Sequence, residues 1–242
     1  MVVPDTCSPV VELRRYTLHP GRRDTLIDLF DREFVETQEA VGMTVIGQFR
    51  DLGAPDQFVW LRGYPDMPSR AASLLAFYGG PVWRQHREAA NATMIDSDDV
   101  LLLRPAGPGT GFRPAGNRPA FGEDAAPGGI ILATTWHLDP AAEAGFPEHF
   151  ERVLAPLLGD AGAPVLASFV TEHAANTFPA LPVREGEHAF VWFSHFPDRA
   201  AHDRYVATRD RIEGFATALR PHLSRPPEAA LLSPTARSRL RG

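Results

Sequence analysis

Phe58-Val59-Trp60-Leu61 runs into Arg62-Gly63-Tyr64-Pro65-Asp66, and much later Phe190-Val191-Trp192-Phe193 runs into Ser194-His195-Phe196-Pro197-Asp198. An internal repeat constrains a fold more than any local propensity, because each copy must form the same unit and bury the same face. Other landmarks keep step with it. Leu18 and Pro20 match Leu138 and Pro140. Gly42, Val45 and Phe49 match Gly162, Val165 and Phe169. Leu101-Leu102-Leu103 before Pro105 matches Ala230-Leu231-Leu232 before Pro234. Tandem copies of one unit account for all of these.

The period of the apolar residues gives the unit its elements. Residues 10–18 alternate apolar and polar, as a strand does. After Pro20-Gly21, the residues Leu26, Leu29, Phe30, Phe34 and Val41 recur at helical spacing. Residues 44–50 and 57–64 predict two strands around the turn Gly53-Ala54-Pro55-Asp56. A helix is expected from Pro68, broken at Gly79-Gly80-Pro81, with a last strand at 100–104. The second copy predicts strands at 130–138, 165–172, 188–196 and 229–233. Its helices are expected at 147–158, where Pro156 should kink or end the first, and at 199–219. The order β-α-β-β-α-β is the ferredoxin-like split unit. Three segments follow: residues 1–105, a glycine- and proline-rich linker at 106–129, and residues 130–242.

Composition narrows the function. The 242 residues carry a net charge of -6, with arginine supplying all 24 basic side chains. That balance disfavours nucleic acid as a partner, and the absence of lysine removes Schiff-base chemistry. No apolar run reaches the ~18 residues of a membrane span, and the N-terminus lacks an export signal. A soluble, cytoplasmic protein is expected. Its alanine-, arginine- and proline-rich chain points to a GC-rich bacterial genome. A single cysteine, Cys7, excludes an internal disulfide and any thiolate-rich metal site. Gly107-Pro108-Gly109-Thr110-Gly111 lacks the Gly-Lys-Ser/Thr ending of a phosphate loop. Asp96-Ser97-Asp98-Asp99 reads as a solvated acidic turn, short of a calcium loop by its glycine and distant glutamate.

Val11-Glu12-Leu13-Arg14-Arg15-Tyr16-Thr17-Leu18 with Pro20-Gly21, and Phe77-Tyr78-Gly79-Gly80-Pro81-Val82-Trp83 leading to the leucine run, resemble the NIPSNAP family. The resemblance covers residues 10–105. In the second copy Leu132-Ala133-Thr134-Thr135-Trp136 stands where the first has Glu-Leu-Arg-x-Tyr. The family belongs to the dimeric α+β barrel superfamily, so the resemblance implies an α+β fold in which two tandem ferredoxin-like units close into a pseudo-dimeric barrel. It leaves room for a homodimer of the whole chain. Members of the superfamily include cofactor-free monooxygenases, lyases, isomerases and haem enzymes, and fold alone does not choose among them.

In that superfamily the sheet face away from the helices lines a cavity. With Val11 and Leu13 under the helices, alternation turns Glu12, Arg14 and Tyr16 into the chamber, joined by Gln48, Trp60, Arg62 and Tyr64. The second copy adds Trp136, Trp192 and Ser194. Glu12, Arg14 and Arg62 are either a structural network closing the barrel or a site in which two arginines against one glutamate favour an anionic organic ligand. Arg14, Tyr16, Glu12 and His86, on the helix after the glycine break, are the candidate catalytic groups; Trp60, Arg62, Tyr64, Gln48, Trp136, Trp192 and Ser194 are the candidate substrate contacts. His173, His188 and the other histidines read as surface or structural residues, with no metal-ligand spacing and no evident haem ligand. The expected function is metal- and nucleotide-independent acid/base chemistry in bacterial specialised metabolism: enolisation, elimination, cyclisation or cofactor-free oxygenation. A non-catalytic ligand-binding or protein-interaction module is the alternative. A chamber of ~300 Å³ or more at Arg14 and Tyr16 favours the enzyme, and a filled barrel favours the module.

Overall fold

The computed structural model describes residues 8–113, 118–123, 129–209, 211–212 and 214–241; Cys7 lies outside them. Eight antiparallel strands close a barrel: β1 (Val10–Leu18), β2 (Thr44–Asp51), β3 (Gln57–Tyr64), β4 (Met94–Pro105), β5 (Ile130–His137), β6 (Val165–Thr171), β7 (Ala189–Phe196) and β8 (Glu228–Pro234). Around the barrel they run β4-β1-β3-β2 and then β8-β5-β7-β6, returning to β4. Each half of the chain thus supplies four adjacent strands in the same relative order. The halves meet along two short seams. One pairs Phe49 with Pro234, Arg50 with Ser233 and Asp51 with Leu232; the other pairs Leu103 with Thr171, Arg104 with Val170 and Pro105 with Phe169.

Helices cover the outside of each half. In the first they are α1 (Arg23–Leu29), α2 (Val35–Glu39), α3 (Met67–Tyr78) and α4 (Pro81–Asn91), and in the second α5 (Phe146–His149), α6 (Ala155–Asp160), α7 (Arg199–Arg209) and α8 (Phe215–Leu219). The repeated Pro-Asp dipeptide has a local cause. Asp66 caps α3 by accepting from the Ser69 N–H at 2.6 Å, and Asp198 accepts from the Ala201 N–H at 2.7 Å. Such a cap contributes about 1 kcal/mol. Gly42 and Gly162 follow the first helical run of each half with φ of 93° and 95°, a conformation that strains any side chain.

The elements depart from the expected pattern at four points, three in helical runs and one in a strand. A π-turn, Phe30–Phe34, joins α1 to α2, and another, Phe150–Leu154, joins α5 to α6. The second turn sits just ahead of Pro156, so the proline, which has no N–H to give, falls in the first turn of α6 instead of breaking a helix. The stretch expected as one helix at 199–219 divides into α7 and α8, with Gly214 at φ 85° capping the latter. Finally, Asp96, Ser97, Asp98 and Asp99 are no turn but part of β4, which starts at Met94 because β1 pairs along it: Thr17 is opposite Asp96 and Arg15 opposite Asp99.

The strand faces are sorted as alternation requires but labelled the other way round. Val11 and Leu13 point into the barrel, where they meet Leu61, Phe169, Val191, Phe193 and Leu232 from both halves. Eight strands leave a lumen just wide enough to be filled by side chains, and apolar residues fill it. The lumen is therefore a core. Glu12, Arg14, Tyr16, Trp60, Arg62 and Tyr64 lie on the opposite face, between the sheet and its helices. Phe112 of the proline-rich segment and Leu240 of the C-terminal tail complete the lumen packing.

Candidate functional site

Each half encloses a compartment between sheet and helices, and the two differ. In the first, Glu12 on β1 is completely buried and gathers three guanidiniums. Its Oε2 accepts from Arg14 Nη1 at 2.9 Å and Arg62 Nε at 2.7 Å, and its Oε1 accepts from Arg70 Nε at 2.7 Å. Burial alone would raise this carboxyl; Arg62, Arg14 and Arg70 override it and hold Glu12 far below the carboxylate range. Arg14 also donates from Nε to the Tyr16 hydroxyl at 3.0 Å, and Arg62 from Nη1 to Gln38 Oε1 at 3.1 Å. Three cations against one anion leave two surplus positive charges, partly stabilised by aromatic faces. The Arg62 guanidinium lies 4.9 Å from the Trp60 ring centroid. Among the described residues, Arg62 Nη2, Arg70 Nη2 and Trp60 Nε1 have no hydrogen-bond partner.

A strap from the other half roofs this compartment. The segment between β6 and β7 brings Asn176 and Thr177 to Arg70 Nη1, at 2.9 and 3.2 Å, and stacks Phe178 on Tyr78. The remaining void, beside Tyr16, Phe34, Trp60 and Tyr78, is about 30 Å³, the share of one water. Among the described residues, the space beside Tyr16 is therefore far smaller than the expected substrate chamber, and Arg14 is held in a packed ion network. Tyr64 is buried with its hydroxyl 3.9 Å from Met43 Sδ, and burial pushes its ionisation well above the usual tyrosine range. The structure does not bring His86 and Gln48 into the network. His86 Nε2 faces Glu33 Oε2 at 3.7 Å on the outer side. Gln48 Nε2 donates to Asp31 Oδ1 at 3.2 Å in a separate cluster with Arg118 and Glu39.

The second compartment is open. A cleft of about 920 Å³ has Leu132, Thr134, Trp136 and Trp192 as its floor, and α7, α8 and residues 223–229 as its walls. Trp136 sits among Phe146, Phe150 and Phe190, with the Trp192 ring centroid 5.7 Å away. His202 and Tyr205 line the α7 wall, with His202 Nδ1 3.2 Å from Asp203 Oδ1. The Arg209 guanidinium lies over the Tyr205 ring at 5.7 Å. Among the described lining residues the charged groups are Arg209, Arg220 and Arg225, the last paired with Glu187 at 2.9 Å. Ser194 stays out of the cleft, donating to the Pro164 carbonyl at 2.8 Å. The asymmetry between the compartments follows from loop length: β2 and β3 are joined by a short turn at residues 52–56, while the β6–β7 connection is long enough to cross to the first half.

Several of these residues carry no sequence motif. Arg70 was legible in hindsight, since it shares a helical face with Ser73, Leu74 and Phe77, all buried; an arginine on an apolar face needs a buried partner. The cleft residues of α7 and α8 had no comparable signal, because their periodicity is broken at Gly214.

Comparisons with known proteins extend this geometry. A search of curated protein sequences returns no match. Among solved structures, the chain is similar to a candidate monooxygenase from Lactobacillus acidophilus (TM-score 0.57, 11% identity, covering 94% of either chain) and to an anthrone oxidase-like protein (TM-score 0.56, 10% identity, 96% of this chain and 94% of that one). At those identities the likeness is one of fold. A NIPSNAP-like domain protein from Burkholderia xenovorans is 26% identical over 48% of this chain and 95% of its own, with a TM-score of 0.37. The NIPSNAP family model matches residues 11–108. Residues 11–108 of this chain thus match the NIPSNAP domain and are joined in one polypeptide to a second four-stranded half that completes the barrel.

Proposed function

We propose that the chain is two ferredoxin-like units, β4-β1-β3-β2 and β8-β5-β7-β6, of which the first is a scaffold and the second a small-molecule enzyme site. The observation that carries this is the C-terminal cleft: about 920 Å³ with an aromatic floor and a wall of arginines. That volume is at the upper end for a small-molecule site. The apolar floor that Leu132, Trp136 and Trp192 give the cleft suits an aromatic compound, and Arg220 suits its carboxylate or enolate oxygen. His202, beside Asp203, is the acid–base candidate. The fold-level likeness to monooxygenase-like and anthrone oxidase-like proteins supports an aromatic, polyketide-like substrate, with enolisation followed by oxygenation or elimination as the reaction class. A homodimer is compatible with this reading and is not required to close the barrel.

The filled lumen and the paired Glu12 network favour the ligand-binding or interaction-module alternative for the first half alone. The test uses 1-anilinonaphthalene-8-sulfonate, a planar aromatic anion that fluoresces in apolar sites. Ala229, opposite Thr134 on β8, lines the cleft. Ala229→Phe is expected to weaken probe binding at least ~10-fold, about 1.4 kcal/mol, while Trp60→Phe in the first compartment leaves it unchanged. The reverse pattern would place the ligand site in the N-terminal half. For catalysis, His202→Gln should lower turnover of an accepted aromatic substrate without changing its affinity; unaltered turnover removes His202 from the chemistry.

A further inference from the structure

Three side chains that lie far apart in sequence converge at the rim of the second half. Glu143 stands in the loop between β5 and α5, His173 follows β6, and His188 immediately precedes β7. His173 Nε2 donates to Glu143 Oε1 at 2.7 Å, and His188 Nδ1 donates to Glu143 Oε2 at 2.6 Å. The imidazole rings are 5.3 Å apart, and one donor atom from each of the three residues lies within 4.8 Å of the others. The backbone under them is fixed: the Leu138 N–H binds the His188 carbonyl at 2.7 Å, and the Glu172 N–H binds the Leu102 carbonyl at 2.8 Å.

We propose that Glu143, His173 and His188 form a binding site for one divalent transition-metal ion, zinc being the best match. Two imidazoles and one carboxylate are a borderline-soft donor set, which suits Zn²⁺ and disfavours the oxygen-seeking Mg²⁺ and Ca²⁺. The geometry needs modest adjustment in both directions: the nitrogen–oxygen pairs must open, and the three donor atoms, now within 4.8 Å of one another, must draw together around the ion. Two donors on one tetrahedral zinc stand roughly 3.3 Å apart, given bonds of about 2.0–2.1 Å. The nitrogen–oxygen pairs here must therefore open by well under ~1 Å. Each imidazole moves its N–H proton to its other ring nitrogen, turning the coordinating nitrogen into a lone-pair donor. Glu143, which now accepts both protons, then offers the metal one carboxylate oxygen, the third of three protein donors. Its side chain is 19% exposed, against 48% for His173 and 31% for His188, so solvent reaches the fourth position.

The site lies at the base of the β6–β7 connection, the strap that carries Asn176, Thr177 and Phe178 over the Arg70 cluster. An ion there would pin both ends of the strap to the β5–α5 loop. This role is structural and does not depend on the cleft being catalytic.

The test is a zinc titration of the full chain, free of affinity tag and stripped of metal, followed by calorimetry and by the thermal transition. One tight equivalent per chain is expected, with a zinc-dependent rise in Tm. His173→Ala and His188→Ala should each weaken binding by about 100-fold or more, since even indirect partners of a metal site are worth 10–100-fold. His149→Ala, whose ring lies 4.5 Å from that of His222 in a different cluster, should leave the equivalent intact. Co²⁺ in place of zinc should give the visible bands of a four-coordinate ion. Absence of a tight equivalent, or its survival in both histidine variants, overturns the assignment. If His188→Ala fails to fold, His173→Ala decides, because that half-exposed ring gives up a single hydrogen bond to Glu143.

Discussion

Glu12→Gln is expected to cost about 3–5 kcal/mol of stability, the penalty for stranding a buried charge without its partner, against a total of only 5–15 kcal/mol for a typical protein. The magnitude follows from the geometry. Among the described residues Glu12 is the single anion for Arg14, Arg62 and Arg70, and all four are essentially inaccessible to water. Glutamine keeps the shape and leaves three cations in a compartment with room for one water. Arg70→Met removes one surplus cation while Glu12 keeps two partners, so its cost should be smaller, and it should partly rescue Glu12→Gln in a double-mutant cycle. Urea unfolding measures both. The sign with pH is also fixed. A carboxyl held below its ordinary value contributes stability above the unfolded pKa, near 4.3, and that contribution is lost as pH falls below it. A Glu12→Gln protein within 1 kcal/mol of the parent would mean the network does not hold the sheet to its helices.

Asp31→Asn should act in the opposite direction. Asp31 lies in the π-turn between α1 and α2, 4% exposed, where burial pushes its carboxyl from 3.8 up to about 6 despite Arg237 and Arg118 nearby. A carboxyl raised on folding favours the folded state when protonated. Its contribution is complete below pH ~4 and is lost as pH rises through 6. At pH 8 the charged form costs on the order of 3 kcal/mol by that shift. Asparagine can still accept from Gln48 Nε2 through its Oδ1, so Asp31→Asn should melt higher than the parent at pH 8 and alike at pH 4. A difference in Tm that does not vary with pH would contradict this assignment.

Much of the fold was written in the repeat. Matching Phe-Val-Trp segments gave the third strand of each half, while the repeated Pro-Asp and the paired Gly42 and Gly162 were legible as landmarks whose roles, caps of α3 and α7 and helix exits, only the structure shows. The parity of Glu12, Arg14, Tyr16, Trp60 and Arg62 was also legible, since alternation requires them to share a face. Which face that was could not be read, because both sides of this sheet are buried and apolar residues suit either. The deciding quantity is barrel width, a property of eight strands together that no strand expresses alone. Arg70 arrives from α3, and Asn176 and Thr177 arrive from the other half, so the network's true size depended on tertiary contacts. The cleft escaped notice for a related reason: its walls come from a helix broken at Gly214 and from the irregular approach to β8. The convergence of Glu143, His173 and His188 joins a loop to the two ends of a hairpin, and sequence spacing does not encode it.

The working cavity proposed for this protein is the helix–sheet cleft of the second half. Crystals of the full chain soaked with a bromonaphthalene sulfonate, and measured at the bromine absorption edge, locate the ligand without ambiguity. The anomalous peak should lie in the C-terminal cleft, against Trp136 or Trp192, with the sulfonate toward Arg220. A peak inside the barrel lumen or beside Tyr16 and Trp60 would contradict it.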